Sequence, residues 1–109
     1  MKGVIKNSDR GYLHMVSLEI LAKIQPGKRY EFLQTFEILT QANHKARDCI
    51  EQTLFEKSNE PNSFLWIEDW KNSESLESYR QTEKFRSLLG AMEVLGSLIK
   101  IRTFILTEE

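Results

Sequence analysis

The residues best suited to chemistry in this 109-residue chain lie in its second half: Trp66, Trp70, Tyr79, Phe85 and Arg102. Two indoles four residues apart can stack on a planar aromatic molecule. A tyrosine hydroxyl both donates and accepts hydrogen bonds, so Tyr79 can orient a phenolic oxygen. Lys100 and Arg102, in the last apolar segment, could stabilise an anion. Each residue also has a plainer reading. Trp66 and Trp70 could serve a core or an interface, and for Trp70 that is the simpler role. Tyr79 could be a half-buried helix tyrosine with its hydroxyl in water. The two cations could be exposed strand charges.

Other chemistries lack their residues. His14 and His44 form neither HxH nor HxxxH, so no metal spacing exists. Cys49 is the one cysteine; it can form no intrachain disulfide and reads as a buried, inert thiol. GxSxG, a phosphate-binding glycine loop and a dinucleotide fingerprint are all absent, which leaves acyl transfer, phosphoryl transfer and NAD chemistry without support. With 15 basic and 16 acidic residues, there is no electrostatic case for nucleic acid or an anionic membrane. No apolar run approaches a membrane span, and the first residues lack the long apolar stretch of a secretion signal. Together with the lone cysteine, this makes a cytoplasmic protein the expectation.

The elements that must position these residues follow from periodicity. Residues 1–14 read as an N-terminal arm and 15–109 as one domain. Val16, Leu18, Ile20, Ala22 and Ile24 alternate with Ser17, Glu19 and Lys23, which marks a strand. Gln25-Pro26-Gly27 ends it and opens a helix from Lys28 to about Ala46, with Phe32, Phe36 and Leu39 on one stripe. Cys49–Lys57 and Ser63–Trp70 read as a hairpin around the turn formers Ser58–Asn62. Asn72 or Ser73 can cap a helix bearing Leu76 and Tyr79; a second helical piece carries Phe85, Leu88, Leu89, Met92 and Leu95, with Gly96 as its stop. The last strand is Leu98–Leu106, with Leu98 and Lys100 on one side and Ile99 and Ile101 on the other.

The order β-α-β-β-α-β predicts an α+β, ferredoxin-like fold: a four-stranded antiparallel sheet with helices on one face. Strand three is apolar on both faces. Leu65 and Ile67 fall on one side, and Phe64, Trp66 and Trp70 on the other, the side expected to be open. A patch that large marks an interface or a groove, and a two-fold dimer with facing sheets would cover it.

In these features the chain resembles the antibiotic biosynthesis monooxygenase (ABM) family of dimeric α/β barrels, over roughly Val16 to Leu106. The resemblance rests on Gln25-Pro26-Gly27-Lys28 with Glu31-Phe32; on Glu60-Pro61-Asn62, Phe64, Glu68 and Trp70; on Glu74, Leu76 and Glu77; and on Phe85-Arg86 with Leu88-Leu89. It implies a homodimer with one pocket per subunit between sheet and helices. It also implies an oxidoreductase that oxidises phenols or quinols with O₂ and no cofactor, the substrate's own carbanion reducing oxygen. Relatives often carry a histidine where this chain has Tyr79, and another where it has Lys84, so a base or polariser at either place is of a different type here or absent. Haem-degrading relatives use an asparagine near Ile20 and a histidine at Leu89; neither ligand is present, and haem degradation is rejected.

The expected function is therefore an ABM-type monooxygenase acting on an aromatic or quinone-like molecule, with Tyr79 as the catalytic candidate. Trp66, Trp70 and Phe85 form its pocket wall and Arg102 its charge partner. The alternatives are a non-enzymatic small-molecule-binding dimer using the same cavity, and an assembly module whose open face is filled by the partner.

Overall fold

The computed structural model describes residues 14–41 and 47–106. The expected arm, apart from His14, lies outside the described residues, as does His44. The chain runs β1 (Met15–Ile24), a 3₁₀ turn (Pro26–Lys28), α1 (Arg29–Leu39), β2 (Cys49–Glu56), β3 (Ser63–Trp70), α2 (Ser73–Arg80), α3 (Glu83–Leu95) and β4 (Gly96–Leu106). The strands form one antiparallel sheet in the order β2-β3-β1-β4. This is the ferredoxin-like α+β arrangement, with the second helix broken into α2 and α3.

Alternation builds the core. Val16, Leu18, Ile20, Ala22 and Ile24 of β1 are all buried, beside Phe64, Trp66 and Trp70 of β3. Phe32 of α1, Leu76 and Tyr79 of α2, and Phe85, Leu88 and Met92 of α3 close over them. The tryptophan side of β3 is thus the covered side: Phe64, Trp66 and Trp70 are 1–2% exposed. This corrects the expectation that they stand on the open face. A period of two sorts side chains into two sets, but only the path of the crossover helices decides which set they cover. The open face instead carries Leu21, Leu65 and Phe55 in one cross-strand row and Glu19, Ile67 and Thr53 in the next.

A bulge also changes β4. The register of β4 on β1 shifts between Leu21 and Ala22, so Leu98 faces Ala22 while Lys100 faces Leu21. The extra residue, Ile99, puts Leu98 and Lys100 on opposite sides, contrary to simple alternation, and aligns Ile101 with buried Ile20. β4 also starts before Leu98, because Gly96 and Ser97 already pair with Ile24 and Lys23. No loop residue separates α3 from β4. At Gly96 a Cβ would lie 2.0 Å from the Lys23 carbonyl oxygen and 2.7 Å from the Ile24 Cα, so the two strands meet there backbone to backbone.

Side chains fix the ends of the elements. The Asn72 side chain accepts the Ser75 N–H at 2.8 Å, and Thr82 accepts that of Phe85 at 3.2 Å, capping α2 and α3. α1 ends earlier than the sequence suggests, at Leu39, where Thr40 turns its N–H and hydroxyl onto the Phe36 carbonyl.

The β2–β3 turn is held by a charged clamp. Arg29 reaches from α1 to both carboxylate oxygens of Glu56 and to Asn62 Oδ1 at 3.1 Å. Glu56 in turn accepts the Asn62 N–H at 2.7 Å, and Asn62 takes the left-handed conformation that asparagine tolerates, φ 69°. The Arg29 hydrogen bonds, followed by the Asn62 N–H, hold the Glu56 carboxyl down from its ordinary 4.5 to about 2. A carboxyl with a depressed folded pKa stabilises the fold above its unfolded pKa and loses that contribution as pH falls through the folded one. Urea unfolding of wild type and Glu56→Gln should therefore differ at pH 7, and the gap should close between about pH 4.5 and 2. A gap that stays constant across that window would show that the clamp does not stabilise through charge.

Candidate active site

The centre of the covered face holds a polar group. Glu68 sits between Trp66 and Trp70 on β3, shares their side of the strand, and is 0% exposed. Its carboxylate receives four donors. Oε2 accepts Trp66 Nε1 at 2.9 Å, Gln52 Nε2 at 3.0 Å and the Tyr79 hydroxyl at 3.3 Å; Oε1 accepts Trp70 Nε1 at 3.1 Å. Both indoles can only donate, so both carboxylate oxygens act as acceptors. Gln52 comes from β2, where its register opposite Glu68 delivers the amide; its own Oε1 is buried without a partner.

Aromatic rings surround this cage. Tyr79 lies 4.6 Å from Trp70 with the rings tilted by 33°, and 5.3 Å edge-on from Phe85. Trp66 packs edge-on against Phe36 at 5.0 Å and Phe32 at 6.3 Å. A groove of about 320 Å³ opens beside Trp70 and Tyr79, walled further by Arg47, Asp48, Ser75, Ser78 and Thr82. That is within the range of small-molecule sites, about 300–1,000 Å³. Asp48 is tied to α2 by the Ser75 hydroxyl at 2.6 Å, which fixes one wall.

The electrostatics of Tyr79 set what it can do. Burial, then the Glu68 carboxylate, push its phenol well above the ordinary tyrosine range. It stays a neutral hydroxyl that donates to Glu68 and keeps an acceptor lone pair. As a free tyrosinate base it is excluded at physiological pH.

Of the residues singled out in the sequence, only Trp70 and Tyr79 line the groove; Phe85 and Trp66, expected in its wall, stand behind it, Phe85 packed on Tyr79 and Trp66 joined through Glu68. Arg102 stands apart. It lies on the other face of the sheet, 3.1 Å from Glu19 Oε1, beside a hollow of about 200 Å³ shared with Leu21, Lys57, Leu65 and Lys100. Tyr79 is not the half-solvated helix tyrosine of the plainer reading, because it is 7% exposed with its hydroxyl satisfied inside. Lys84, in the first turn of α3, is not among the groove residues. Among the described residues, no group of three or more His, Cys, Asp and Glu side chains could hold a metal.

Glu68 and Gln52 are the functional candidates that sequence reasoning passed over. Glu68 is flanked by Ile67 and Asp69 and reads locally as a solvent charge. The available signal was its parity: once Trp66 and Trp70 are inside, the residue midway between them is inside too.

The family model for antibiotic biosynthesis monooxygenase matches residues 15–89, which span β1 through most of α3. The chain belongs to the ABM family. This ABM chain is 31% identical over 75 residues to "Putative monooxygenase YcnE" of Bacillus subtilis (strain 168), covering 69% of this chain and 79% of YcnE. A protein of Bacteroides thetaiotaomicron VPI-5482 superposes with a TM-score of 0.73 at 25% identity, over 85% of this chain and 98% of that one. One bearing the family's name, from Caulobacter crescentus CB15, gives 0.74 at 20% identity over 93% and 97%, a likeness of fold. No helix among the described residues of this ABM protein is long and apolar enough to cross a membrane.

Proposed function

We propose that this protein is a monooxygenase that oxidises phenolic or quinol-like aromatic molecules with O₂ and without a cofactor, working as a homodimer. The observation that carries the reading is the Trp70–Tyr79 wall of the groove, with the tyrosine hydroxyl anchored on a buried carboxylate. The stacked Trp70 and Tyr79 rings give the groove an aromatic wall, and Tyr79 supplies an oxygen for a phenolic O–H. In a phenol activated at a neighbouring CH₂, loss of the proton leaves a carbanion that reduces O₂. Two C–H bonds break and a C=O forms; one oxygen stays in the product and the other leaves as water. The substrate supplies every electron, so the protein need only bind it, favour its deprotonated form and keep water away from the intermediate.

The dimer is supported by the open face. Leu21, Leu65, Ile67 and Phe55 form its apolar centre, and Phe55 is 55% exposed. Glu19, Lys57, Lys100 and Arg102 supply charges of both signs around it, which lets one surface meet its own two-fold copy. On this reading Arg102 serves the face between copies rather than the groove. A sedimenting species of 12.8 kDa at micromolar concentration would sink the dimer.

Oxygen consumption with menadiol-type quinols and anthrone-like phenols tests the chemistry. Turnover above the non-enzymatic rate is expected, and Tyr79→Phe should lower kcat/KM by about 10²-fold. No turnover across such a panel, with Tyr79→Phe unchanged, would end the oxygenase reading. The second reading, a non-enzymatic binding dimer, is favoured by Tyr79 and Lys84 standing where relatives often carry histidine. It predicts thermal protection by an aromatic ligand with no oxygen consumed.

A further inference from the structure

Glu68 is costly as a structural residue. A carboxylate taken out of water is normally matched by a cation. Among the described residues no lysine or arginine pairs with Glu68; its four partners are neutral donors from three elements, β2, β3 and α2. An apolar side chain of similar volume, with apolar partners in place of its four donors, would fill the same space without that desolvation. Trp66 and Gln52 stand away from the groove, whereas Trp70 and Tyr79 both wall it. Of these two only Tyr79 carries a group that can accept a proton as well as donate one, and its hydroxyl lies 3.3 Å from Glu68 Oε2. A buried carboxylate one hydroxyl removed from a cleft is placed where a proton leaving a ligand can reach it.

We propose that Glu68 is the terminal proton acceptor of this site, and that the Tyr79 hydroxyl relays the proton to it from a phenolic O–H held in the groove. This rests on the reading of the groove as a phenol or quinol site and names the base which that reading leaves open. In the step, the substrate O–H bond breaks and its proton goes to the Tyr79 oxygen. The Tyr79 O–H bond breaks together with it, and that proton goes to Glu68 Oε2. No electrons leave the substrate. The products are a phenolate, a neutral tyrosine whose new hydrogen points back at the phenolate oxygen, and a neutral Glu68.

The transfer is concerted because Tyr79 resists ionisation: burial and the Glu68 charge both push its phenol up. Protonating Glu68 Oε2 keeps the Tyr79 contact, since the new O–H points at the Tyr79 oxygen, and leaves Trp70 on Oε1, while Trp66 and Gln52 share what acceptor capacity Oε2 retains. The other titratable group acting on Tyr79 is Cys49 on β2; Arg47 and Asp48 stand at the groove wall, with Asp48 engaged by Ser75.

The test separates proton transfer from oxygen chemistry. A nitrophenol, whose phenolate absorbs in the visible, is titrated under anaerobic conditions into wild type, Tyr79→Phe and Glu68→Gln, after each variant's fold is checked by circular dichroism. Below the probe's own pKa, the wild-type-bound probe should be at least tenfold more ionised than free probe, equivalent to one pKa unit or more. Both variants should lose that gain while still binding. In turnover, Glu68→Gln should slow neutral phenols by about 10²-fold or more and be rescued by phenols already ionised at the assay pH, which a merely structural loss would not be. Should Glu68→Gln fail to fold, Tyr79→Phe carries the test alone, because it leaves three of the four donors on Glu68. Equal probe ionisation in wild type and variants overturns the relay. So does a wild-type-bound probe no more ionised than in solution, even where quinol turnover is normal. Failure of wild type to bind any phenol overturns the groove assignment, and the relay with it.

Discussion

Glu68→Ala is expected to remove roughly 3–5 kcal/mol of folding stability, because it strands several buried donors at once. Trp66 Nε1, Trp70 Nε1, Gln52 Nε2 and the Tyr79 hydroxyl all lose their acceptor. A buried donor left unpaired costs about 1–3 kcal/mol, and four of them would exceed that range. Two effects offset the sum. The desolvation of a carboxylate disappears with it, and water can enter the space left and accept from some of the donors. The net remains a large share of the roughly 5–15 kcal/mol that holds a domain together. Chemical denaturation followed by tryptophan fluorescence reads the loss directly, since both tryptophans report on the cage. A Glu68→Ala midpoint near that of wild type would mean the four contacts contribute nothing to stability. Glu68→Gln should fall between the two, because its carbonyl keeps one side of the cage while its NH₂ faces donors.

Gly96→Ala should be nearly as damaging, for a reason that has nothing to do with polarity. The glycine φ is −178°, an extended value open to any residue, so no backbone strain is involved. The obstacle is space. The new methyl would meet the Lys23 carbonyl oxygen at 2.0 Å and the Ile24 Cα at 2.7 Å, and both are backbone atoms of the paired strand. No rotamer change relieves such a contact; β1 and β4 must move apart at the end where Gly96 pairs with Ile24. Overpacking typically costs about 1–3 kcal/mol, and a backbone contact this close belongs at or above the top of that range. For a domain of this size, about 3 kcal/mol corresponds to a melting temperature lowered by roughly 12–24 °C. Hydrogen exchange should show the β1–β4 amides deprotected first. A melting temperature within a few degrees of wild type would show that the strand end yields freely. Gly90, with open space around its Cα, is the control: Gly90→Ala in the middle of α3 should raise stability slightly.

The architecture was largely legible in the sequence, and its failures have a common origin. One strand announced itself through alternation at Val16–Ile24, another through an apolar run after turn formers at Ser63–Trp70, and the α2 cap through the pair Asn72 and Ser73. Those signals are local, and the structure places them where local chemistry says. Which face of β3 the helices cover depends on the crossover path, so the local pattern alone cannot tell that Phe64, Trp66 and Trp70 lie on the covered side. The bulge at Ile99 hides in a run of apolar and basic residues that alternates well enough without it. Arg102 looked like a partner for a groove anion, yet its register opposite Glu19 carries it to the other face. The carboxylate cage was the least visible feature. Its donors come from β2, β3 and α2, and only long-range pairing brings Gln52 opposite Glu68. Tyr79 shows the same gap: its position on a helix was readable, but its acceptor was not.

The direct passage from α3 into β4 also governs where this chain can change length. Adding one residue to the six between β2 and β3 lengthens a turn that already faces solvent. Adding one between Leu95 and Gly96 leaves no slack to absorb it. Either α3 rotates by a quarter turn or more, carrying Phe85 off Tyr79, or β4 slips by one residue. A slip would turn Ile101 outward and Arg102 into the core. Insertions and deletions should therefore accumulate around Ser58–Asn62 and be excluded at the α3–β4 junction, which acts as the fixed datum from which the whole edge of the sheet is measured.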